Sequence, residues 1–305
     1  MLFRSDMGAA EPPRTCHEGI IMQKADVRKL TESQETLLIA LWARATEAGH
    51  PEPILRDDRA VELFESIDYP FEKFVEGNTR YIGFCIRAAI FDRLARRFLE
   101  EHPSGTVVEI GAGLDTRFDR LDNGTVRWFD LDLPDAMEVR RGLIEETPRR
   151  KFLGTSVVEP EWLDELADVD PSEVLFIAEG VLYFVPGEEV SALFTRLADR
   201  FPGAKVLFDC MSPLYLMANN IVHPLDGVKL LWSVGRRRDI ERWDPRLEIE
   251  EFIGFGDAPY YDRNMLDRLS WYQRLGRRFY PPARNMFRIC QVHLAEEATW
   301  RRKPR

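Results

Sequence analysis

Short apolar runs alternate with helix-forming segments through the middle of this chain, and no other feature narrows its fold as much. Runs at 106–110, 126–131, 152–158, 174–178 and 205–208 are rich in β-branched and aromatic residues. Between them, 135–145, 159–167 and 188–200 carry helical spacing. Continuous apolar strands joined by helices predict an α/β protein with a mostly parallel sheet, buried on both faces. Two later runs, 247–253 and 286–293, bring the expected sheet to seven strands with an antiparallel last strand.

Before the first strand the pattern is helical. Leu37, Leu38, Ala40, Leu41 and Ala45 recur on one face, with no Gly or Pro from Glu32 until Gly49. A second helix is expected over 57–67, burying Ala60, Leu63, Phe64 and Ile67. A third starts near Asn78 and carries Phe84, Ile86, Ala89, Ile90, Leu94 and Phe98. After the fifth strand, Pro213, His223, Pro224 and the triplet Arg236-Arg237-Arg238 break the rhythm. The expected organisation is a flexible tail (1–30), a helical cap (31–102), a cofactor-binding core (103–212), a substrate lid insertion (213–244) and a segment completing the sheet (245–305).

Bulk composition removes several function classes. The 305 residues carry a formal net charge of -10 and a pI near 5.2, a balance that repels phosphate backbones and argues against a nucleic-acid partner. Cys16, Cys85, Cys210 and Cys290 stand far apart, so neither a zinc knuckle nor a redox pair is expected. No apolar run approaches the roughly 20 residues that span a bilayer. Asp6, Glu11, Pro12, Pro13 and Glu18 interrupt the first twenty residues, so a secretory signal is not expected. The expectation is a cytoplasmic chain whose partner is a small molecule, without membrane contact and without a metal.

In an open parallel sheet, ligands bind beyond the carboxyl ends of the strands. The first strand ends in Gly111-Ala112-Gly113, where missing Cβ atoms let backbone approach a ligand closely. The second ends in Asp130-Leu131-Asp132, about twenty residues on, where an acid can accept both ribose hydroxyls. The fourth ends in Glu179-Gly180 and the fifth in Asp209. A dinucleotide fingerprint wants Gly or Ala at position 116, yet this chain has Thr116, flanked by Asp115 and Arg117. Acidic Asp115 and Glu109 beside the turn disfavour a pyrophosphate and suit a ligand bearing a sulfonium and an ammonium.

The run from Val108 to Leu121, VEIGAGLDTRFDRL, resembles the leucine carboxyl methyltransferase family, and within it the bacterial polyketide O-methyltransferases of the tetracenomycin kind. Three further blocks agree: WFDLDLP at 128–134, FIAEGVLY at 176–183, and Phe201-Pro202-Gly203 leading to Leu207-Phe208-Asp209. The resemblance covers roughly residues 31 to 260. It implies a Rossmann-like methyltransferase fold with S-adenosyl-L-methionine as donor. Carried over by position, it places Gly111 against the methionine part, Asp132 with its neighbour Asp130 on the ribose, and Glu179 on a further cofactor contact. Gly113 and Asp115 belong to the same turn. The arginine serving the methionine carboxylate falls nearest Arg80, in Asn78-Thr79-Arg80-Tyr81. Where the family commonly has an aspartate beside the adenine, this chain has Ser156-Val157, whose hydroxyl can still hydrogen-bond the adenine edge.

Each residue also has a plainer reading. Asp132 and Asp115 are placed to cap the helices that follow them, and Arg80 can pair with Glu76 four residues earlier. Tyr183 is either core or the wall of an acceptor pocket, and Asp209 either a ligand contact or an acceptor of backbone hydrogen bonds. His223 is either a loop histidine or the catalytic base. A carboxylate acceptor, ionised at neutral pH, needs no base, whereas a phenol gains from one. The expected activity is metal-free, in-line O-methylation of a small acidic molecule, a secondary metabolite of polyketide type, with Arg236 steering its charge. Methylation of a protein C-terminus, or cofactor binding without catalysis in a biosynthetic complex, are the competing expectations.

Overall fold

The computed structural model describes residues 25–26, 32–75, 81–222, 229–257, 259–269 and 286–297. Among them seven strands form one sheet: β1 (Thr106–Ile110), β2 (Arg127–Asp132), β3 (Arg150–Gly154), β4 (Val174–Ala178), β5 (Lys205–Met211), β6 (Leu247–Gly254) and β7 (Phe287–Leu294). Their spatial order is β3-β2-β1-β4-β5-β7-β6. Only β7 runs antiparallel to its neighbours; the other pairings are parallel. The order reverses between β1 and β4, which opens a crevice at the carboxyl ends of those two strands.

Alternation along the strands divides the apolar residues between two faces. One face presents Val107, Trp128, Leu175, Ile177 and Leu207 to helix Tyr81–Glu101, which meets them with Ile86, Ile90, Phe91, Leu94 and Phe98. The opposite face presents Val108, Phe129, Phe176 and Phe208 to helix Gly187–Arg200, through Val190, Leu193, Phe194 and Leu197. Each such side chain contributes about 1.5–3 kcal/mol by leaving water. The long helix Tyr81–Glu101, grouped with the cap by its place in the sequence, thus spends its apolar face on the sheet.

In chain order the helices used below are α1 (Glu32–Ala48), α2 (Asp58–Ser66), α3 (Tyr81–Glu101), α4 (Arg117–Leu121), α5 (Pro134–Arg141), α6 (Gly187–Arg200), α7 (Pro213–Val222) and α8 (Arg237–Glu241). Helices α1 and α2 form a third layer at the β3 side, where Leu38, Leu41, Trp42 and Leu63 pack with Leu114, Met137, Ile144 and Phe152. Among the described residues no helix is long and apolar enough to cross a membrane.

Two expected elements differ. The third strand starts at Arg150 and stops at Gly154, not at 152 and 158. Arg150 enters the sheet because its guanidinium is paired with buried Asp130, and Ser156 opens a turn that accepts the Glu159 N–H at 3.1 Å. The helix expected over 159–167 is a 3₁₀ helix, Pro160–Leu166. The segment expected as a lid holds α7, a return along 229–235, and α8. That return is tied to the strand ends, Leu231 N donating to Tyr183 O at 2.9 Å and Val234 N to Met211 O at 2.8 Å. Of the expected tail only Ala25–Asp26 is described, paired parallel to Ile67–Asp68.

Candidate active site

The glycine turn after β1 is shaped by its own backbone. Gly111 and Gly113 adopt φ of 67° and 47°, in the left-handed region that glycine enters without steric cost. A Cβ on Gly111 would lie 2.1 Å from Val181 Cγ2, so the turn also needs glycine for its close approach to the loop after β4. Both N–H groups of Gly111 and Ala112 donate to Leu131 O, at 2.7 and 3.1 Å.

Asp132 fastens this turn to the end of β2. Its carboxylate accepts the Gly113 N–H at 2.7 Å and the Leu133 N–H at 2.7 Å. The nineteen-residue spacing between glycine and acid is therefore one hydrogen bond. Asp132 is half-buried, and burial raises its carboxyl above the ordinary range against the pull of those N–H groups. It does not cap α5, whose N-cap is Leu133, with Pro134 in the first turn and no side-chain cap. Asp115 likewise leaves the N-cap of α4 to Thr116 and turns its carboxylate to Arg117 and Arg120. Burial pushes Asp115 up, but the guanidiniums of Arg117, Arg44 and Arg120 hold it well below the usual carboxylate range.

Asp130 is placed differently from Asp132. It shares a face with Asp132 but sits one pleat deeper, completely buried, where it accepts Arg140 Nη2 at 2.8 Å, Arg150 Nε at 2.8 Å and Trp128 Nε1 at 3.1 Å. A carboxylate sealed in this way presents no open face to the crevice, whereas Asp132 is partly open. Its effect on the turn is indirect, because the Arg140 it holds donates to Gly113 O at 2.6 Å and to Asp115 O at 2.9 Å.

On the other side of the crevice stands Glu179. One oxygen accepts Arg87 Nε at 2.8 Å, and the other accepts the Arg117 guanidinium. Arg87 also donates to Asp209 Oδ2 at 3.1 Å and to Tyr183 Oη at 3.3 Å, while Asp209 Oδ1 accepts the Gly180 N–H at 2.8 Å. Burial opposes a charge on Arg87, but Glu179, Tyr183 and Asp209 keep it firmly protonated. Burial pushes Asp209 up to about 6, with Arg87 pulling the other way. It also raises the Tyr183 hydroxyl, helped by Asp209.

Arg117 binds these parts together. Fully buried, it donates to Asp92 Oδ1 at 2.8 Å, to Glu109 and to Glu179, with Asp115 Oδ2 at 3.3 Å. Burial raises the Glu109 carboxyl to about 8 against Arg117's pull. Around the strand ends Asp57, Asp92, Asp115, Asp130, Asp132, Glu179 and Asp209 outnumber Arg44, Arg87, Arg117, Arg120, Arg140 and Arg150. That excess of carboxylate suits a ligand with cationic centres. Among the described residues no group of three or more His, Cys, Asp or Glu side chains is arranged to hold a metal ion.

The structure thus gathers Gly111, Gly113, Asp115 and Asp132 on one side of the crevice and Glu179 and Tyr183 on the other. Ser156 and Val157 follow β3, next along the row of strand ends, Ser156 half-buried and Val157 buried. Arg236 is exposed at the N-cap of α8, where its backbone N–H donates to Asp239 Oδ2 at 2.8 Å. Arg80 and His223 lie outside the described residues. Sequence patterning gives Arg87, Arg117 and Arg140 no site role, because their partners lie on other elements. Arg87 left a trace, the single charge among Phe84, Ile86, Ile90 and Phe91 in the first half of α3, residues 81–91.

With this geometry in view, comparison with known proteins is informative. Residues 37–198 match the leucine carboxyl methyltransferase family. The chain is similar to the tetracenomycin polyketide synthesis O-methyltransferase TcmP of Streptomyces glaucescens, 33% identical over 235 residues that cover 76% of this chain and 86% of the relative. It is also similar to the S-adenosyl-L-methionine-dependent methyltransferase dpfgK of Gibberella zeae, 28% identical over 244 residues, covering 73% and 82% respectively. Among solved structures, a DUF574 family protein from Streptomyces avermitilis superposes with a TM-score of 0.56 at 14% identity, covering 86% of this chain and 99% of that one, a likeness of fold.

Proposed function

The chain belongs to the leucine carboxyl methyltransferase family, and from that premise we propose that this S-adenosyl-L-methionine-dependent methyltransferase methylates an oxygen of a small acidic molecule, a carboxylate or a phenol of polyketide type. The observation that carries the donor site in this reading is Arg87, a cation held between Glu179 and Asp209 at the open strand ends and bonded to the Tyr183 hydroxyl. The likeness to a polyketide O-methyltransferase supports the oxygen acceptor.

S-adenosyl-L-methionine, when bound, supplies a methyl group on a positively charged sulfur. The chain's own task is to bind, align and exclude water. In this reading the glycine-turn backbone of Gly111 and Gly113 receives the methionine portion, and Asp132 accepts from the ribose hydroxyls. Ser156 and Val157 border the adenine. The carboxylates of Asp115 and Glu179 favour the cationic centres, and Arg87 partners the methionine carboxylate, with Arg80 as the alternative. Tyr183 walls the acceptor side, and Arg236 adds positive charge for an acidic acceptor. A carboxylate acceptor is already ionised and needs orientation only; a phenol needs a base, the role assigned to His223.

Methyl-labelled S-adenosyl-L-methionine incubated with phenolic and carboxylic acceptors tests this directly. Label should enter the small-molecule fraction, and mild alkali separates a labile methyl ester from a stable ether. Label confined to protein would replace this reading with C-terminal carboxyl methylation. Binding of S-adenosylhomocysteine with no label transferred would replace it with a non-catalytic module.

A further inference from the structure

Asp57 belongs to no cofactor motif, yet it is completely buried and faces the glycine turn. It caps α2, its Oδ1 accepting the Ala60 N–H at 3.0 Å. The same carboxylate accepts Arg44 Nε at 3.1 Å from α1, Thr116 Oγ at 2.8 and 2.6 Å, and Arg120 Nη1 at 2.6 Å. Two of these donors carry the constraint onward. Arg44 Nη2 reaches Leu114 O at 2.8 Å, and Arg120 Nη2 reaches Asp115 Oδ1 at 3.2 Å.

Leu114, Asp115 and Thr116 are therefore all bonded to Asp57 or to an arginine that Asp57 holds. Helix α1 adds a steric contact: a Cβ on Gly113 would fall 2.7 Å from Leu37 Cδ2, so Leu37 lies directly on the turn. The first half of the turn is fixed by β2 and Arg140, and the cap adds its own bonds to the second half, where Arg140 and Arg117 also reach Asp115.

We propose that Asp57 is a positioning residue for the cofactor, fixing residues 114–116 and seating α1 against Gly113 so that the turn is preformed when the cofactor arrives. This rests on the cofactor assignment above. A carboxylate that only stabilised the cap would change folding free energy and leave the affinity of folded protein untouched; a positioning residue changes both, because an unshaped turn must be ordered at the expense of binding.

The test is calorimetric titration of the full chain with S-adenosylhomocysteine, well below each variant's Tm. Asp57→Asn keeps the helix cap but removes the charge, and Thr116→Val removes one hydroxyl at constant shape. Val292→Ala, in β7 opposite Val206 near the amino end of β5, lowers stability away from the strand ends and serves as control. The expected result is affinity weakened about tenfold by Asp57→Asn and about fivefold by Thr116→Val, with Val292→Ala within about twofold of wild type. Should Asp57→Asn fail to fold, Thr116→Val decides. Wild-type affinity in the folded Asp57 and Thr116 variants would overturn the proposal. Absence of binding by the wild-type chain would instead overturn the cofactor assignment on which it rests.

Discussion

Arg117 and Glu179 are 62 positions apart and meet by a hydrogen bond beneath the crevice, the guanidinium fully buried and the carboxylate nearly so. Arg87 holds the other oxygen of Glu179. An alternating chain of charge thus runs from Asp209 through Arg87, Glu179 and Arg117 to Asp115, Arg120 and Asp57, across the ends of β5, β4 and β1 into the cap.

Removing the centre of that chain should cost stability heavily. Arg117→Met leaves Asp92, Glu109, Asp115 and Glu179 short of a cation, and breaking a buried pair in this way destabilises by about 3–5 kcal/mol. Urea denaturation reads this as a lower midpoint at unchanged slope. A loss below about 1 kcal/mol would mean that the network relaxes around the missing guanidinium.

The two aspartates of β2 should separate by phenotype. Asp132→Ala removes the partly open carboxylate and should weaken S-adenosylhomocysteine binding about tenfold or more, equivalent to about 1.4 kcal/mol. Asp130→Asn should lower the unfolding midpoint, since Arg140 and Arg150 lose their shared anion, with a smaller effect on the affinity of folded protein. The reverse pattern would return the ribose contact to Asp130.

Arg87→Lys keeps the charge and loses the planar fork that meets Glu179, Asp209 and Tyr183 together. Cofactor affinity should fall about tenfold, and Tyr183→Phe should change it by less than about threefold. Undiminished affinity in Arg87→Lys would move the carboxylate contact to another residue, Arg80 first.

Gly111→Ala places a methyl group at φ of 67° and 2.1 Å from Val181 Cγ2. The conformational strain alone is of order 1–3 kcal/mol, and the clash adds to it. Combining it with Val181→Ala should recover the steric part of the loss and leave the backbone part, so the double variant falls between wild type and Gly111→Ala in thermal stability. An additive pair of losses would contradict the contact.

Asp209 gives a pH signature. Its carboxyl is raised from 3.8 to about 6, so over that interval the folded chain keeps a proton the unfolded chain has released. Its contribution to stability is therefore full below the unfolded value and is lost as pH rises through the folded one. Asparagine does not titrate, so the Tm advantage of wild type over Asp209→Asn should shrink between about pH 4 and about pH 7. An advantage that grew with pH would place the shift on the opposite side.

The sequence by itself determined the order and type of the core strands, because buried strands need unbroken apolar runs and those runs are local. It also determined the glycine turn and the acid at the end of β2, because one βαβ step fixes their spacing. Two features misled it locally. Arg150 looks foreign to a strand until Asp130 is placed beside it, and Asp130 looks equivalent to Asp132 until depth in the sheet separates them. Only the tertiary structure decided how the charges pair. Arg87, Arg117, Arg140 and Asp57 find their partners on other elements, through contacts of long sequence separation that no periodicity records. A buried charge is tolerable only beside its counter-charge, and that pairing belongs to the packed molecule.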